Sequence, residues 1–299
     1  MLYADRLHLG KTSLGVEVAK RINGEIISAD SMQVYKEMNI GTAKPTLEEM
    51  QGIKHYLIDF VNPDEEYNVS MFLKDANNAI KEVIDKGKTP IIVGGTGLYI
   101  DSLINGIEFT EIEKDENYRK ELELIAEEKG VDFLFEELKK IDEESALKIE
   151  KNNIRRVIRA LEIYKVTGKK KSVLDKESIK GSPYDFDVYE ICWNREELYD
   201  RINKRVDIML DAGLIDEVKN VSTKYNISKT AMQALGYKEV IDYFNGKYDY
   251  DEMIEKIKME SRRYAKRQIT WFNHIKEKTK LDGNNKNEML QMILNKNTL

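Results

Sequence analysis

Four groups of residues have the types and spacing to do chemistry. Gly10-Lys11-Thr12 opens an apolar-periodic segment. Backbone N–H groups and the dipole at a helix start attract phosphate. A lysine there adds charge, and a threonine hydroxyl can hold Mg²⁺. Alone, the tripeptide better suits an ordinary helix start; the helix and strand that follow tip the balance to the phosphate reading. Ser28-Ala29-Asp30-Ser31-Met32-Gln33 follows an apolar strand, which places Asp30 at the carboxyl end of a sheet, where α/β proteins bind ligands. A carboxylate there can accept a proton or support a metal ion; the alternative is that Asp30 caps a turn. Gly94-Gly95-Thr96-Gly97 follows a second apolar strand and either lets backbone approach a ligand or makes a plain tight turn. The fourth group is basic: Arg155, Arg156 and Arg159 with Lys169 to Lys171, Arg201 with Arg205, and Arg262, Arg263, Lys266 and Arg267 with Tyr264 and Trp271 interleaved. Solvated helix faces are the usual reason for such charges, yet three clusters in a net-acidic chain suggest contact with a polyanion.

The elements that must position these groups alternate between strand and helix in the first third. Leu14, Val18 and Ile22 give Thr12 to Ile22 helical spacing, stopped by Asn23-Gly24. Glu25 to Ser28 is a short strand. Val69, Phe72, Leu73, Ala76, Ile80 and Val83 line one stripe of a helix from Val69 to Ile84, ended by Gly87. Pro90 to Val93 has the compact apolar character of a strand buried in a parallel sheet. Such alternation predicts an α/β fold with a doubly wound parallel sheet. Residues 107–182 show helix patterns and no convincing strand, which predicts a helical insertion between core segments 1–106 and 183–299. Phe186 to Trp193 reads as a strand returning to the sheet. The remainder reads as helical, with Leu198, Ile202, Val206 and Met209 on one stripe, and residues 284–299 read as a frayed polar tail.

The 299 residues suggest about two domains. Hydrophobic residues at 41% exclude wholesale disorder, and a net charge of −6 excludes a uniformly basic nucleic-acid binder. The longest apolar run, Pro90 to Ile100, is broken by three glycines and falls short of the roughly 18 residues needed to cross a bilayer. No secretory signal pattern stands at the N-terminus. The single cysteine, Cys192, fits a reducing, cytoplasmic setting, and three scattered histidines make no zinc ligand set.

The motifs together resemble the bacterial tRNA dimethylallyltransferases, or tRNA isopentenyltransferases. They run in order as Gly24-Glu-Ile-Ile-Ser-Ala-Asp-Ser-Met-Gln-Val-Tyr35, Ile40-Gly-Thr-Ala-Lys-Pro45, His55-Tyr-Leu-Ile-Asp59, Val93-Gly-Gly-Thr-Gly-Leu-Tyr99 and Arg155-Arg-Val-Ile-Arg-Ala-Leu-Glu162. Arg201-Ile-Asn-Lys-Arg-Val-Asp207, Gly213-Leu-Ile-Asp-Glu-Val218, Ala231-Met-Gln-Ala-Leu-Gly-Tyr237 and Arg262-Arg-Tyr-Ala-Lys-Arg-Gln268 follow, with Thr270-Trp-Phe272. The resemblance implies a P-loop kinase-like core, with the insertion gripping the tRNA anticodon arm. It implies transfer of a dimethylallyl group from dimethylallyl diphosphate to the exocyclic amine of the adenine 3′ to the anticodon, in tRNAs reading codons that begin with U. Mg²⁺ assists. The P-loop, a nucleotide- and ATP-binding element in other families, here holds the donor diphosphate at Gly10, Lys11 and Thr12. Asp30 matches the general base; Thr12 with Mg²⁺ and Arg205 would stabilise the leaving group. Asp30, Ser31, Met32, Gln33, Thr96 and Arg119 would contact tRNA by motif match. Arg155, Arg156 and Arg159 are electrostatic candidates for the RNA backbone. A monomer in the cytoplasm, without membrane contact, is expected.

One stretch departs from the family pattern. A full strand and Gly-Pro-Thr-x-x are expected before Gly10, whereas Asp5-Arg-Leu-His-Leu9 stands there and only four residues precede it. Either the start is misassigned or the donor site is damaged, so a catalytically impaired tRNA-binding relative is the alternative to an active transferase. A small-metabolite P-loop kinase is a third reading, disfavoured by the arginine clusters and the length.

Overall fold

The computed structural model describes residues 11–110 and 112–296, and the backbone of residues 2–4. Two compact units emerge: residues 1–104 with 184–299, and residues 105–183.

In chain order the first unit begins with β1 (Leu2–Ala4), α1 (Lys11–Arg21), β2 (Gly24–Ala29), α2 (Leu47–Met50), β3 (His55–Tyr56), α3 (Val69–Asp85), β4 (Thr89–Gly94) and α4 (Gly97–Ile104). The second unit carries α5 (Glu116–Lys129), α6 (Val131–Ile141), α7 (Glu143–Lys148), α8 (Ile154–Thr167) and α9 (Lys171–Glu177). The first unit resumes with β5 (Val188–Cys192), α10 (Arg195–Asp211), α11 (Leu214–Lys224), a 3₁₀ turn (Ala231–Gln233), α12 (Tyr237–Phe244), α13 (Tyr250–Phe272), β6 (Thr279–Asp282) and α14 (Lys286–Lys296).

The six strands form one parallel sheet in the order β3-β2-β4-β1-β5-β6. Alternate residues feed its two faces. Ile26, Ile91, Val93, Tyr189 and Ile191 pack with Leu14, Val18, Met289 and Ile293, so α1 and α14 cover one face. Ile27, Ile92 and Val188 pack with Phe72, Ile80, Val206, Val218 and Ile257 on the other. Side-chain caps start the long helices: Asn68 accepts from Ser70 N and Met71 N, Asn194 from Glu197 N, and Asp249 forms a capping box with Glu252. The second unit has its own core of Leu122, Leu134, Leu138, Val157, Ile158 and Leu161. Its two chain ends meet where Glu108 N donates to Ser178 O at 2.8 Å and Lys180 N to Gly106 O at 3.2 Å.

The structure departs from the sequence reading in four elements. A first strand does form: Leu2, Tyr3 and Ala4 lie in register with Ile92, Val93 and Gly94 on one side and Val188, Tyr189 and Glu190 on the other. Pairing on both edges lets three residues fill the central slot. The two-residue β3 and the mostly polar β6 are also strands, docked on β2 and β5. The tail is not frayed over Lys286–Lys296, because Met289, Leu290 and Ile293 are buried against the α1 face. Among the described residues, no helix is long and apolar enough to cross a membrane.

Candidate active site

The start of α1 and the end of β2 meet at the carboxyl edge of the sheet. Lys11 is 2% exposed and Asp30 is 7% exposed. Lys11 Nζ lies 3.9 Å from Asp30 Oδ2. Asp30 Oδ1 accepts from Met32 N at 3.0 Å and from Gln33 N at 3.3 Å. One oxygen therefore caps the turn while the other faces a buried cation. Gly10 and the anomalous residues 5–9 lie outside the described residues.

The loop after β4 closes over the loop after β2. Ser31 N donates to Thr96 Oγ1 at 2.9 Å, and Thr96 Oγ1 donates to Ser31 Oγ at 3.2 Å. Gly94 is required by this closeness, since a Cβ there would lie 2.2 Å from Ala29 O. Gln33 is buried and its amide is engaged within the protein. Ser28 Oγ donates to Oε1 at 3.1 Å, and Nε2 donates to the carbonyls of Thr42 and Ala43 at 3.4 and 3.0 Å. Ser31 and Met32 remain partly exposed.

A slot of about 10 Å³ lies beside the pair, lined by Lys11, Thr12, Ser28, Gln33 and His55 among others. His55 Nδ1 sits 2.9 Å from Ile53 O. A carbonyl only accepts, so this nitrogen carries the proton and Nε2 presents a lone pair. Burial holds the imidazole below its usual range. His55 was visible in the sequence only as part of a motif.

Helix α13 brings Gln268 and Trp271 against the loop after β4, a placement the sequence did not assign to them. Gln268 Nε2 donates to Gly95 O at 2.7 Å, and Trp271 packs so closely on Gly97 that a Cβ would meet its Cγ at 2.4 Å. Burial, reinforced by the Asp30 charge, pushes the Tyr264 phenol well above its usual range. The basic residues of Arg262-Arg-Tyr-Ala-Lys-Arg-Gln268 had suggested polyanion contact. Helical spacing of Tyr264, Gln268 and Trp271 was the available signal for the face turned to the site.

The remaining sequence-derived candidates are distributed. Arg205, on α10, lines a small cavity with Gly41, Ile202 and Ser261. In the second unit, Arg119 grips buried Glu162 through Nε and Nη2, both at 2.8 Å, and Arg159 Nη1 reaches the same carboxylate at 2.5 Å. Burial opposes ionisation of Glu162, but the two arginines and the Asp115 N–H outweigh it and hold the carboxyl below its usual range. Arg155 and Arg156 are exposed and form no ion pair among the described residues.

A parallel sheet with a buried lysine opening the helix after its central strand, and a carboxylate just past the end of β2, is the architecture of a P-loop-like α/β protein. The IPP transferase family model matches residues 33–275, and the chain belongs to that family. The tRNA dimethylallyltransferase of Acetivibrio thermocellus is 55% identical over 268 residues, covering 89% of this chain and 86% of that protein. The protein of the same name from Bacillus cereus is 46% identical over 288 residues, covering 95% and 91%. Among solved structures, the tRNA isopentenylpyrophosphate transferase of Bacillus halodurans superposes with a TM-score of 0.72 at 43% identity, covering 99% of this chain and 96% of that one. A eukaryotic dimethylallyltransferase acting on tRNA gives 0.78 at 33% identity, covering 94% and 73%.

Proposed function

We propose that this protein transfers a dimethylallyl group from dimethylallyl diphosphate to the exocyclic amine of the adenine 3′ to the anticodon, in tRNAs reading codons that begin with U. The observation that carries the reading is Asp30: a buried carboxylate with one oxygen fixed by two backbone N–H groups and the other facing Lys11. In the reaction the adenine nitrogen attacks the allylic carbon, the carbon–oxygen bond to diphosphate breaks, and the amine proton passes to Asp30. Lys11 and the α1 start, with Gly10, hold the diphosphate and stabilise the charge it gains on leaving. Arg205 adds to that field.

Magnesium fits the residues present. Among the described residues no group of three His, Cys, Asp or Glu could cage a metal. Mg²⁺ is commonly held by one or two protein oxygens plus substrate phosphates, and Thr12, beside Lys11 in the slot, supplies such an oxygen. When bound, it neutralises developing charge on the leaving diphosphate.

Asp30, Ser31, Met32 and Thr96 meet the flipped adenine and its neighbours, within the loop that Gln33 shapes. Flipping is less costly in an anticodon loop than in a duplex. Arg155 and Arg156 meet phosphates of the anticodon arm, on a surface that Arg119 and Arg159 hold in shape through their pairing with Glu162. The protein acts as a cytoplasmic monomer; it binds this donor in the phosphate loop rather than ATP. Similarity at about half of all positions to proteins bearing enzyme names favours an active transferase over the impaired tRNA binder.

The test is incubation with unmodified tRNA and dimethylallyl diphosphate, followed by nucleoside digestion and mass spectrometry. Dimethylallyl adenosine at the position 3′ to the anticodon is expected. Binding of tRNA without any modified nucleoside would overturn the proposal in favour of the impaired relative.

A further inference from the structure

We propose that Glu217, on α11, is a positioning residue for the Asp30–Gln33 turn, acting through backbone N–H groups at Asn39–Gly41. This inference rests on the reading of Asp30 as the reacting base. Glu217 Oε2 accepts from Asn39 N at 2.8 Å and from Ile40 N at 2.7 Å. Its Oε1 accepts from Gly41 N at 3.0 Å and from the Tyr237 hydroxyl at 3.0 Å. Three successive N–H groups converging on one anion form the kind of nest that elsewhere binds phosphate. Here the anion is a side chain more than 170 residues away in sequence. Hydrogen bonds to a charged acceptor are roughly twice as strong as neutral ones, so the segment is held firmly. The fit is tight: a Cβ on Gly41 would meet Tyr237 Cε2 at 2.7 Å.

The nest is linked to Asp30 by a continuous path. Gly41 leads directly into Thr42 and Ala43, whose carbonyls accept from Gln33 Nε2. Gln33 Oε1 is tied to Ser28 on β2, and Gln33 N donates to Asp30 Oδ1. Every step between Glu217 and Asp30 is therefore a peptide bond or a hydrogen bond. Lys44 closes the same loop independently, donating to Tyr35 O at 2.7 Å and to Asp59 at 2.6 Å. Loss of Glu217 should thus loosen the loop rather than release it. Lys11 and Thr12 lie on α1, outside this path.

That topology sets a distinctive kinetic signature. Displacing a reacting group by about 1 Å can cost on the order of 100-fold in rate. Glu217→Ala should lower kcat about 10- to 100-fold and raise the tRNA KM several-fold, with the donor KM within about twofold of wild type. Glu217→Gln keeps the shape and one acceptor oxygen, but its NH₂ cannot accept from the N–H groups that face the second oxygen, so its rate should fall between those of wild type and Glu217→Ala. Tyr237→Phe removes one of the four bonds and should fall between Gln and wild type.

The experiment is steady-state kinetics on the full chain with tRNA and dimethylallyl diphosphate, each variant checked by thermal melting and assayed well below its midpoint. Graded loss in the order Phe, Gln, Ala, confined to kcat and the tRNA KM, supports the proposal. Unchanged kcat and tRNA KM in Glu217→Ala overturn it. So does a loss that tracks the folded fraction and leaves both KM values unchanged. If Glu217→Ala fails to fold, the Gln and Phe variants decide by the same criteria. A wild-type protein that makes no product would instead defeat the underlying functional reading.

Discussion

Asp30→Asn separates the two oxygens of one side chain. The amide oxygen can keep the hydrogen bonds from Met32 N and Gln33 N, at 3.0 and 3.3 Å in the parent, so the turn should persist. The oxygen 3.9 Å from Lys11 Nζ becomes an uncharged NH₂ that cannot take a proton. Losing a general base costs about 10²- to 10⁴-fold in rate, or roughly 3–5.5 kcal/mol of barrier. The same change removes a negative charge beside the proposed donor site. Opposite charges at this distance attract by roughly 4 kcal/mol at an effective dielectric of 20, and solvent and relaxation leave a fraction of that. Lys11, freed of its carboxylate, should hold a diphosphate more tightly. The expected result is a kcat lower by two to four orders of magnitude, tRNA affinity within about threefold, and stronger inhibition by inorganic diphosphate. Single-turnover quench with saturating tRNA reads the rate, and competition with diphosphate reads the donor site. A rate within threefold of wild type would remove Asp30 from proton transfer. Weaker diphosphate binding would refute the electrostatic pairing with Lys11. Asp30→Ala, which also loses the turn bonds, should weaken tRNA binding where Asn does not.

Three further outcomes follow from the same geometry. Asp142 accepts from Ser145 N, Ser145 Oγ and Ser172 N; burial opposes its charge, but these bonds win and lower its pKa from 3.8 to about 2. A depressed carboxyl stabilises above its unfolded pKa and loses that stabilisation as pH falls towards about 2. Asp142→Asn should therefore cost about 2 kcal/mol at neutral pH, a deficit that shrinks in melts near pH 2.5. Gly94→Ala drives a Cβ to within 2.2 Å of Ala29 O and should part β2 from β4, read as loss of most soluble protein or a destabilisation above about 3 kcal/mol. Arg155→Ala with Arg156→Ala should reduce the slope of log tRNA affinity against log salt by about 1.5; an identical slope would make both residues plain surface charges.

The strands buried on both faces were legible because adjacent isoleucines, Ile26-Ile27 and Ile91-Ile92, mark each of them. Glu25 to Ser28 and Pro90 to Val93 appear extended by one residue at each end, as Gly24–Ala29 and Thr89–Gly94. The stripe from Val69 to Val83 became the helix Val69–Asp85. What escaped notice were elements that gain their order from neighbours. β3 has two residues and β6 shows only Leu281 to the core, so neither carries a periodic signal. In α14 the buried Met289, Leu290 and Ile293 sit among asparagines and lysines, and only the apolar surface that α1 and the sheet offer them explains why they order. The turn-cap and ligand readings of Asp30 looked exclusive in the sequence because residue type cannot assign separate work to two oxygens.

The arginine clusters show the limit of spacing most clearly. A run of cations counts toward polyanion binding only if the fold leaves it unneutralised, and neutralisation is a property of tertiary partners. Arg119 and Arg159 converge on Glu162. Arg201 stacks on Trp193 at 3.7 Å, Arg262 bonds Asn203, and Arg263 pairs with Glu260. Arg155 and Arg156 have no such partner among the described residues, although they belong to the same eight-residue motif as Arg159 and Glu162. Within that motif α8 therefore divides its labour by face: Glu162 anchors arginines that hold the helices of its unit together, while the first turn offers two uncommitted guanidinium groups to solvent. A protein of net charge −6 can bind RNA on these terms, because a phosphate responds to the local, unpaired cations within a Debye length of about 10 Å rather than to the sum over the chain.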